Sequence, residues 1–388
     1  MRLVLLAHPD SLGSESMPRF AGMIQRGMLE RGHEVKVWTS RNKLGALPVR
    51  SHFIRKWLGY VDQFLMYPGE LKKQMNQEPA DTVFVVTDQA LGMWVPHLAH
   101  RPHVIHCHDF LALKSAYAEF PENPTRWTGR QYQRLILKGF SRGQSFISVS
   151  EKTREDLHRF LPASPKISEV VYNGLNHSFR PMSLHERLSH LKPLGLEIPD
   201  SGLLVHIGGN QWYKNRAGVI DIYRAFAANH RQPPVLWMIG APPTEELKNL
   251  AASVSSSGQV KFLTNLTNEQ VNAAYSHARA LIFPSLGEGF GWPIVEAMAA
   301  ECPVITTNIP PMTEVAGGFA RLIPRTPSRQ SERAIWAKSS ATTLAELIHQ
   351  NESDRSDLLQ KARQHSARFK TETALAAYEK IYTQVLQG

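Results

Sequence analysis

The chain has 388 residues, and because a single hydrophobic core rarely grows that large, the length predicts two domains. Its 42% of hydrophobic residues, 25 glycines and 25 prolines are typical of a globular protein, and no run approaches the roughly 18 apolar residues of a membrane span. The two cysteines, Cys107 and Cys302, fall in different predicted domains, which argues against a structural disulfide.

The net charge of +10 is distributed unevenly along the chain. Residues 1–180 contain 24 Lys and Arg against 16 Asp and Glu, whereas residues 181–388 contain 20 against 18. The basic character therefore belongs to the first half. It predicts an acidic partner there, either an anionic membrane surface or a phosphorylated acceptor. We expect no nucleic-acid partner.

The chain opens with an apolar segment. Residues 1–9 include five successive apolar residues, fewer than the roughly 7–15 in the core of a signal peptide, so we expect a buried strand and a cytoplasmic protein. A small-residue loop at 13–16 precedes a helical pattern at 17–31 and an alternating, strand-like pattern at 34–39. The loop lacks the Gly-x-Gly-x-x-Gly fingerprint of a dinucleotide site. The order strand, helix, strand nevertheless predicts an α/β domain.

A basic segment follows, and two interpretations of it remain open. No acidic residue occurs between Glu34 and Asp62, and residues 41–57 contain five Lys and Arg residues. Residues 53–65 then repeat aromatic and apolar side chains at steps of three or four. Such a helix either lies in a membrane interface or packs its apolar face on its own sheet. The segment 41–66 is thus a candidate contact with an anionic membrane.

Two further apolar runs, at 82–87 and 103–106, predict buried parallel strands. His108 comes just after the second run, and ligands of doubly wound sheets bind beyond the carboxyl ends of strands. His108 is therefore a candidate site residue, with an ordinary buried histidine as the alternative. Asp109 is expected to orient His108 or to cap the next helix. No second cluster of metal ligands accompanies this histidine, so we expect no metal.

In the second half, residues 202–209 predict a strand that runs into a turn at Gly208 and Gly209. Lys214 follows this turn at the start of a predicted helix, where an ammonium can place a point charge on a diphosphate. A surface lysine without a function is the alternative.

The densest pattern is a strand, a glycine-rich loop and a helix start. Residues 280–285 predict a buried strand, and the loop 288–291 leads into a helix for which Pro293 is the expected first residue. Helical N–H groups and the helix dipole converge there and favour phosphate. Glu296 should then lie in the first helical turn. Glu288 precedes the glycines, where no helix rule requires an acid.

The stretch from Glu288 to Glu296 resembles the Glu-x7-Glu motif of retaining glycosyltransferases with the GT-B fold, especially glycosyltransferase family four. Lys214 and Asn215 are similar to the Lys-Asn or Lys-Gly element of that family, and His108 is similar to the histidine of its His-Asp element. The resemblance implies an α/β fold of the GT-B type, with two Rossmann-like, doubly wound domains facing an interdomain cleft.

The resemblance also implies the division of the chain. Residues 1–180 would form an acceptor-binding Rossmann-like domain, and residues 181–368 a Rossmann-like domain that binds the nucleotide sugar. Residues 369–388 would form a C-terminal helix that crosses back to the first domain.

The family's motif implies the roles of individual residues. Its first Glu contacts the transferred sugar, its second binds the ribose hydroxyls, and the loop between them holds the diphosphate. Carried onto this chain, the implied catalytic residues are Glu288, His108 and Lys214. The implied donor-binding residues are Glu296, Gly289, Phe290, Gly291, Asn215, Gly208, Gly209, Leu263 and Gly13. The chain lacks the phosphate-binding Arg that many members carry before this Lys, and Arg216 is the candidate substitute.

The reaction implied is retaining transfer from a nucleotide-diphosphate-sugar to a hydroxyl of a glycan or lipid-linked acceptor. In the family's front-face mechanism the departing phosphate accepts the acceptor's proton, so we expect neither metal nor cofactor; the chain contains no Asp-x-Asp motif. Polysaccharide or lipid-linked glycan assembly in the cytoplasm, or peripherally at the inner face of the membrane, is the implied setting. Two alternatives stay open: a GT-B phosphorylase or sugar-nucleotide epimerase, and a non-catalytic, membrane-associated scaffold with this fold.

Overall fold

The computed structural model describes residues 1–9, 16–40, 54, 58–59, 61–175, 177–196, 199–255 and 257–387. Gly13 lies outside these residues, and so does most of the segment 41–57. The donor-binding role of Gly13 and the membrane role of that segment therefore stay predictions.

Twelve strands occur in the described part of the chain. They are β1 (Arg2–Ala7), β2 (Glu34–Thr39), β3 (Thr82–Val86), β4 (His103–Cys107), β5 (Ser145–Ser148), β6 (Ile167–Val170), β7 (Leu203–Ile207), β8 (Val235–Ile239), β9 (Val260–Leu263), β10 (Ala278–Phe283), β11 (Val304–Thr307) and β12 (Arg321–Ile323).

The α-helices of the described residues are α1 (Ser16–Glu30), α2 (Tyr67–Met75), α3 (Val95–Leu98), α4 (Leu111–Ala116), α5 (Trp127–Phe140), α6 (Glu151–Phe160), α7 (Leu184–Leu191), α8 (Arg216–Ala227), α9 (Glu245–Ala252), α10 (Asn268–His277), α11 (Trp292–Ala299), α12 (Met312–Ala316), α13 (Gln330–Ile348), α14 (Glu352–Ser366) and α15 (Thr371–Gln387). None of them is both long and apolar enough to cross a membrane.

The chain forms two compact units. The first comprises Met1–Phe120, Pro124–Gly174 and Thr371–Gly388, and the second comprises Pro121–Asn123 and Leu175–Lys370. The helix α15 thus belongs to the first unit, although it follows the second in sequence. Cys107 and Cys302 are buried and unbridged, one in each unit.

The first unit is built on a parallel sheet with the strand order β2-β1-β3-β4-β5-β6. The buried residues of β1 and β3 alternate between two cores, so Leu3 and Leu5 face one side and Val4 and Leu6 the other. Helices α1 and α15 pack on the Leu3 side. They approach each other closely at Gly27, where an added Cβ would lie 2.2 Å from the Leu375 side chain.

The second unit repeats this plan with the strand order β12-β11-β10-β7-β8-β9, again entirely parallel. One of its cores packs α8 and α13 on one face of the sheet, around Tyr223, Phe226 and Trp336. Central strands covered on both faces explain the continuous apolar runs in the sequence. Two helix-covered parallel sheets confirm the predicted pair of Rossmann-like α/β domains.

Candidate functional site

In the second unit, the loop after β10 leads directly into α11. Gly291 is the N-cap of this helix and has a φ of 102°, a left-handed conformation that favours glycine. Trp292 therefore takes the first helical position and Pro293 the second, where its missing N–H is still not needed. The prediction that Glu296 lies in the first turn is wrong, because the helix begins one residue earlier than expected.

Lys214 and Glu288 form an ion pair at the carboxyl edge of this sheet. The Lys214 Nζ lies 2.8 Å and 3.0 Å from the two carboxylate oxygens of Glu288. Ser285 donates a third hydrogen bond of 2.8 Å to the same carboxylate. The two charged side chains are only 16% and 7% exposed. Lys214 is therefore not the solvated surface lysine of the alternative interpretation, and its charge is held over the strand end.

Asn215 fixes the backbone next to this lysine. It adopts a left-handed conformation with a φ of 50°, and its Oδ1 accepts a hydrogen bond from Gly218 N, which caps α8. Its Nδ2 donates to the Pro284 carbonyl and to the Thr326 hydroxyl at 2.9 Å and 2.7 Å. The side chain of Asn215 thus ties the loop after β7 to the end of β10, which positions Lys214 against Glu288.

Glu296 is held by a residue that the sequence analysis missed. The buried Tyr275 on α10 donates a hydrogen bond of 2.9 Å to Glu296 Oε2. Burial raises the pKa of Glu296 to about 7, while the Tyr275 hydroxyl and the Lys214 charge oppose this rise. Glu296 therefore keeps its proton to a higher pH than an ordinary glutamate does. Nothing in the spacing of the motif pointed to Tyr275, because it lies on the preceding helix.

The aromatic residue between the motif glycines belongs to the core. Phe290 is 3% exposed, and its ring lies 5.6 Å from that of Phe369 and 6.0 Å from that of Trp292. Its side chain anchors the loop, so only its backbone remains for a ligand. Gly289, the preceding residue, is partly exposed.

The predicted glycine turn after β7 touches the turn after β8. Gly208 N donates to the Ile239 carbonyl, and a Cβ on Gly240 would lie 2.2 Å from the Gly208 carbonyl oxygen. Gly240 N donates in turn to the Leu263 carbonyl at the end of β9. At Gly209 an added Cβ would meet only the flexible end of a side chain. The backbone of Gly240 thus contacts both Gly208 and Leu263 at the carboxyl edge of the sheet.

Arg216 does not join the ion pair described above. Its Nη1 donates to Asn210 Oδ1 and to the Ala241 carbonyl, and its guanidinium lies 5.7 Å from the centre of the Phe262 ring. The residue is 4% exposed, and its Nε and Nη2 have no hydrogen-bond partner. Burial lowers the pKa of its guanidinium. Arg216 therefore bridges the loops after β7 and β8, and its replacement of the missing phosphate Arg stays a prediction.

In the first unit, His108 lies just beyond β4 and is buried. Its Nε2 donates to the Thr87 carbonyl at 2.8 Å, and its backbone N donates to Gln89 Oε1 at the same distance. Burial lowers the pKa of His108, so the ring is neutral and Nδ1 is the unprotonated nitrogen. Asp109 accepts a hydrogen bond from Leu111 N, in keeping with the capping role.

The same sheet edge holds a second polar pair that the sequence analysis missed. His8 follows β1, Asp88 follows β3, and His8 Nε2 lies 2.9 Å from Asp88 Oδ2. Burial raises the pKa of Asp88, but the hydrogen bond and charge of His8 outweigh burial and hold it below its usual range. The signal was available, because both residues follow strands as His108 does.

Two family models match the chain. The model described as Glycosyltransferase Family 4 matches residues 17–179, and the model described as Glycosyl transferases group 1 matches residues 196–368. The O-antigen chain mannosyltransferase RfbU of Salmonella typhimurium is 25% identical over 193 residues, half of each chain. A serotype-specific mannosyltransferase WbdA of Escherichia coli is 46% identical over 220 residues, 54% of this chain and 26% of that protein. The chain thus spans half or less of the length of these relatives.

A solved structure supports the same assignment at the level of the fold. The structure of HepE from Anabaena in complex with UDP and glucose has a TM-score of 0.69 and 16% identity, with 98% of each chain covered. Together with the two family models, which match both units, it identifies the architecture. The chain belongs to glycosyltransferase family four and has the GT-B type of fold.

Proposed function

We propose that the chain is a retaining glycosyltransferase that moves a sugar from a nucleotide-diphosphate donor to a hydroxyl of a glycan or lipid-linked acceptor. The observation that carries the proposal is the buried pair of Lys214 and Glu288, next to the amino end of α11 at the carboxyl edge of a parallel sheet. The two relatives described above are mannosyltransferases, which favours mannose as the sugar.

The ion pair contains a cation, Lys214, that a bound diphosphate can pair with in place of Glu288. Without donor, the Lys214 ammonium is neutralised by the carboxylate of Glu288. A bound diphosphate brings a competing anion, and the amino end of α11 adds the positive end of a helix dipole. Both interactions strengthen as negative charge grows on the departing phosphate, which is how a preorganised site lowers a barrier. Glu288, released from part of its pairing, is then available to the hydroxyls of the transferred sugar.

Glu296 is suited to bind the ribose hydroxyls of the donor. A carboxylate accepts hydrogen bonds from two adjacent hydroxyls, and Tyr275 fixes one of its oxygens. Because its pKa is raised to about 7, only the ionised fraction of Glu296 accepts both hydroxyl protons at neutral pH. Donor binding should therefore draw a proton from this residue.

For the first unit, the proposal assigns His108 to the transferred sugar, as the resemblance to the family implies. The neutral ring is an acceptor at Nδ1, because Nε2 donates to the Thr87 carbonyl. In the front-face reaction no side chain forms a covalent bond to the sugar. This agrees with the contacts of Glu288, whose carboxylate already pairs with Lys214 and accepts a hydrogen bond from Ser285. A glycosidase-like double displacement would need that carboxylate as a nucleophile.

A donor screen tests this function. We would incubate the protein with GDP-mannose and with other GDP-, UDP- and ADP-sugars and measure nucleotide release with and without a glycan acceptor. Transfer requires acceptor-dependent release and a product that keeps the anomeric configuration of the donor. Epimerisation or hydrolysis without acceptor would overturn transfer, and the absence of calorimetric binding to every nucleotide would favour the scaffold.

Variants separate the site from the rest of the surface. We expect Lys214→Ala and Glu288→Gln to abolish transfer in a folded protein. The matched control is Lys248→Ala, which removes an exposed lysine that pairs with Glu245, a neighbouring acid on α9. Near-normal turnover of either site variant with the correct donor would contradict the assignment.

A further inference from the structure

The outward face of α5 in the first unit is unusually basic. Five cations lie on this helix and beside its ends, and all are exposed: Arg126, Arg130, Arg134, Lys138 and Arg142. No acidic residue occurs between Glu122 and Glu151, so nothing in this stretch of sequence offsets their charge. The helix therefore concentrates part of the positive charge that the first half of the chain carries.

These cations also lack the pairing seen on the next helix. On α6, the cations Lys152, Arg154 and Arg159 all form ion pairs with acidic residues. Within the part of the chain that the structure describes, none of the five α5 cations has an ion-pair partner. Two of them donate hydrogen bonds to uncharged groups: Arg130 Nε donates to the Thr125 carbonyl, and Arg134 Nη1 donates to the side-chain amide oxygen of Gln131. The charges are therefore available to an external anion.

Two large apolar side chains share this surface with the cations. Trp127 is 71% exposed and Leu135 is 54% exposed. At about 100° per residue, Trp127, Arg134 and Lys138 point within about 40° of one another. Leaving a tryptophan this exposed keeps a large apolar area in water. An indole among cations is typical of a segment that lies at a lipid interface.

The opposite face of α5 is fixed to the body of the unit. Ile136 and Phe140 are buried in the core, and a Cβ on Gly139 would lie 2.3 Å from the Gly92 carbonyl oxygen. The inner face thus fixes the helix to the unit, while the side chains named above on its outer face are exposed. Substitutions on the outer face can therefore change the surface without disturbing the fold.

We propose that the outward face of α5 is a docking surface for an anionic lipid bilayer. The helix lies along the membrane plane, with Trp127 and Leu135 at the boundary between headgroups and acyl chains and the cations on the lipid phosphates. A soluble polyanion would use the charges but would gain nothing from the two apolar side chains. None of these residues belongs to the basic segment 41–66, and the inference does not depend on the proposed reaction.

Vesicle sedimentation tests the proposal on the full chain. The probe is a vesicle of phosphatidylcholine with about one third phosphatidylglycerol, compared with pure phosphatidylcholine. We expect binding to the anionic vesicles only. Each cation near such a surface changes binding roughly fivefold, so Arg134→Gln with Lys138→Gln should weaken it about 25-fold. Trp127→Ser should weaken it several-fold at the same charge.

Matched variants in the second unit provide the controls. Arg231→Gln with Lys338→Gln removes two exposed cations, and Ile335→Ser removes a side chain that is 74% exposed. Both controls should bind vesicles like the unchanged protein. Thermal unfolding and nucleotide binding should be equal in all variants.

Three results would overturn the inference. The first is no binding of the unchanged protein to anionic vesicles. The second is an equal loss in the α5 variants and in the controls, or no loss in either, which would place the contact elsewhere, for example at 41–66. The third is a Trp127→Ser protein that binds vesicles fully while the double charge variant does not, which would show that Trp127 does not enter the bilayer and that charge alone holds the vesicle.

Discussion

The carboxyl edges of the two sheets carry different chemistry, although both units share one architecture. In the second unit the edge holds a buried cation, Lys214, paired with a carboxylate beside a helix N-terminus. In the first unit it holds two imidazoles and one low-pKa carboxylate. The first arrangement suits a diphosphate, whereas the second suits hydroxyl groups. Under the proposed function, the second unit supplies the charged pair for the diphosphate, and both units supply acceptors for hydroxyl groups.

The largest effect that would test this comparison is on turnover. Lys214→Ala removes the cation assigned to the departing phosphate, so we expect kcat to fall at least about 100-fold. It also leaves Glu288 buried and unpaired, which should cost roughly 3 kcal/mol of unfolding free energy. Steady-state kinetics and chemical denaturation measure the two effects.

A double variant sharpens this result. Lys214→Met with Glu288→Gln removes both charges, so we expect it to recover most of the lost stability and none of the activity. A double variant as unstable as Lys214→Ala would mean that the stability loss comes from packing. Recovery of turnover would contradict the assigned role of the cation.

The next effect is the pH dependence of the unfolding free energy that Glu296 of the second unit causes. The pKa of Glu296 is about 7 in the folded protein and near 4.5 when unfolded. Between these values the folded state binds more protons, so stability falls as pH rises from about 4.5 to 7 and is then constant. The whole change is at most about 3 kcal/mol. Glu296→Gln should flatten this part of the profile, measured by urea denaturation at several pH values.

The first unit should respond in the opposite direction. The pKa of Asp88 is held below its usual range, so its pairing with His8 stabilises the fold above the unfolded pKa of 3.8. That contribution is lost as pH falls through the lower, folded pKa. Asp88→Asn should therefore cost about 1–3 kcal/mol at pH 6 and less at pH 3, which lies below the unfolded pKa. An equal cost at both pH values would mean that the carboxylate charge is unimportant.

The polar residues at the carboxyl edge of the second sheet could be predicted from the sequence more completely than those of the first, for a physical reason. Glu288, Glu296 and the glycines between them are consecutive, so the strand, loop and helix rules acted together on one short stretch. His8 and Asp88 meet only because β1 and β3 are neighbours in the sheet, and they are 80 positions apart in sequence. The contact of Tyr275 with Glu296 could not be predicted from the sequence for the same reason, since it depends on how α10 packs. Parallel strands, by contrast, were readable from their continuous apolar runs.

The smallest effect is the most specific for the carboxyl edge of the second sheet, because the substitution shifts one pKa and removes no Asp, Glu, Lys or Arg side chain. Tyr275→Phe removes the hydrogen bond that lowers the pKa of Glu296, so that pKa should rise further. A smaller fraction of Glu296 is then ionised at pH 7, and we expect donor affinity to fall several-fold there. At pH 9 the carboxylate is ionised again and most of the affinity should return. Calorimetric titration with the nucleotide at both pH values measures this, and a loss that does not depend on pH would show that Tyr275 acts by shape alone.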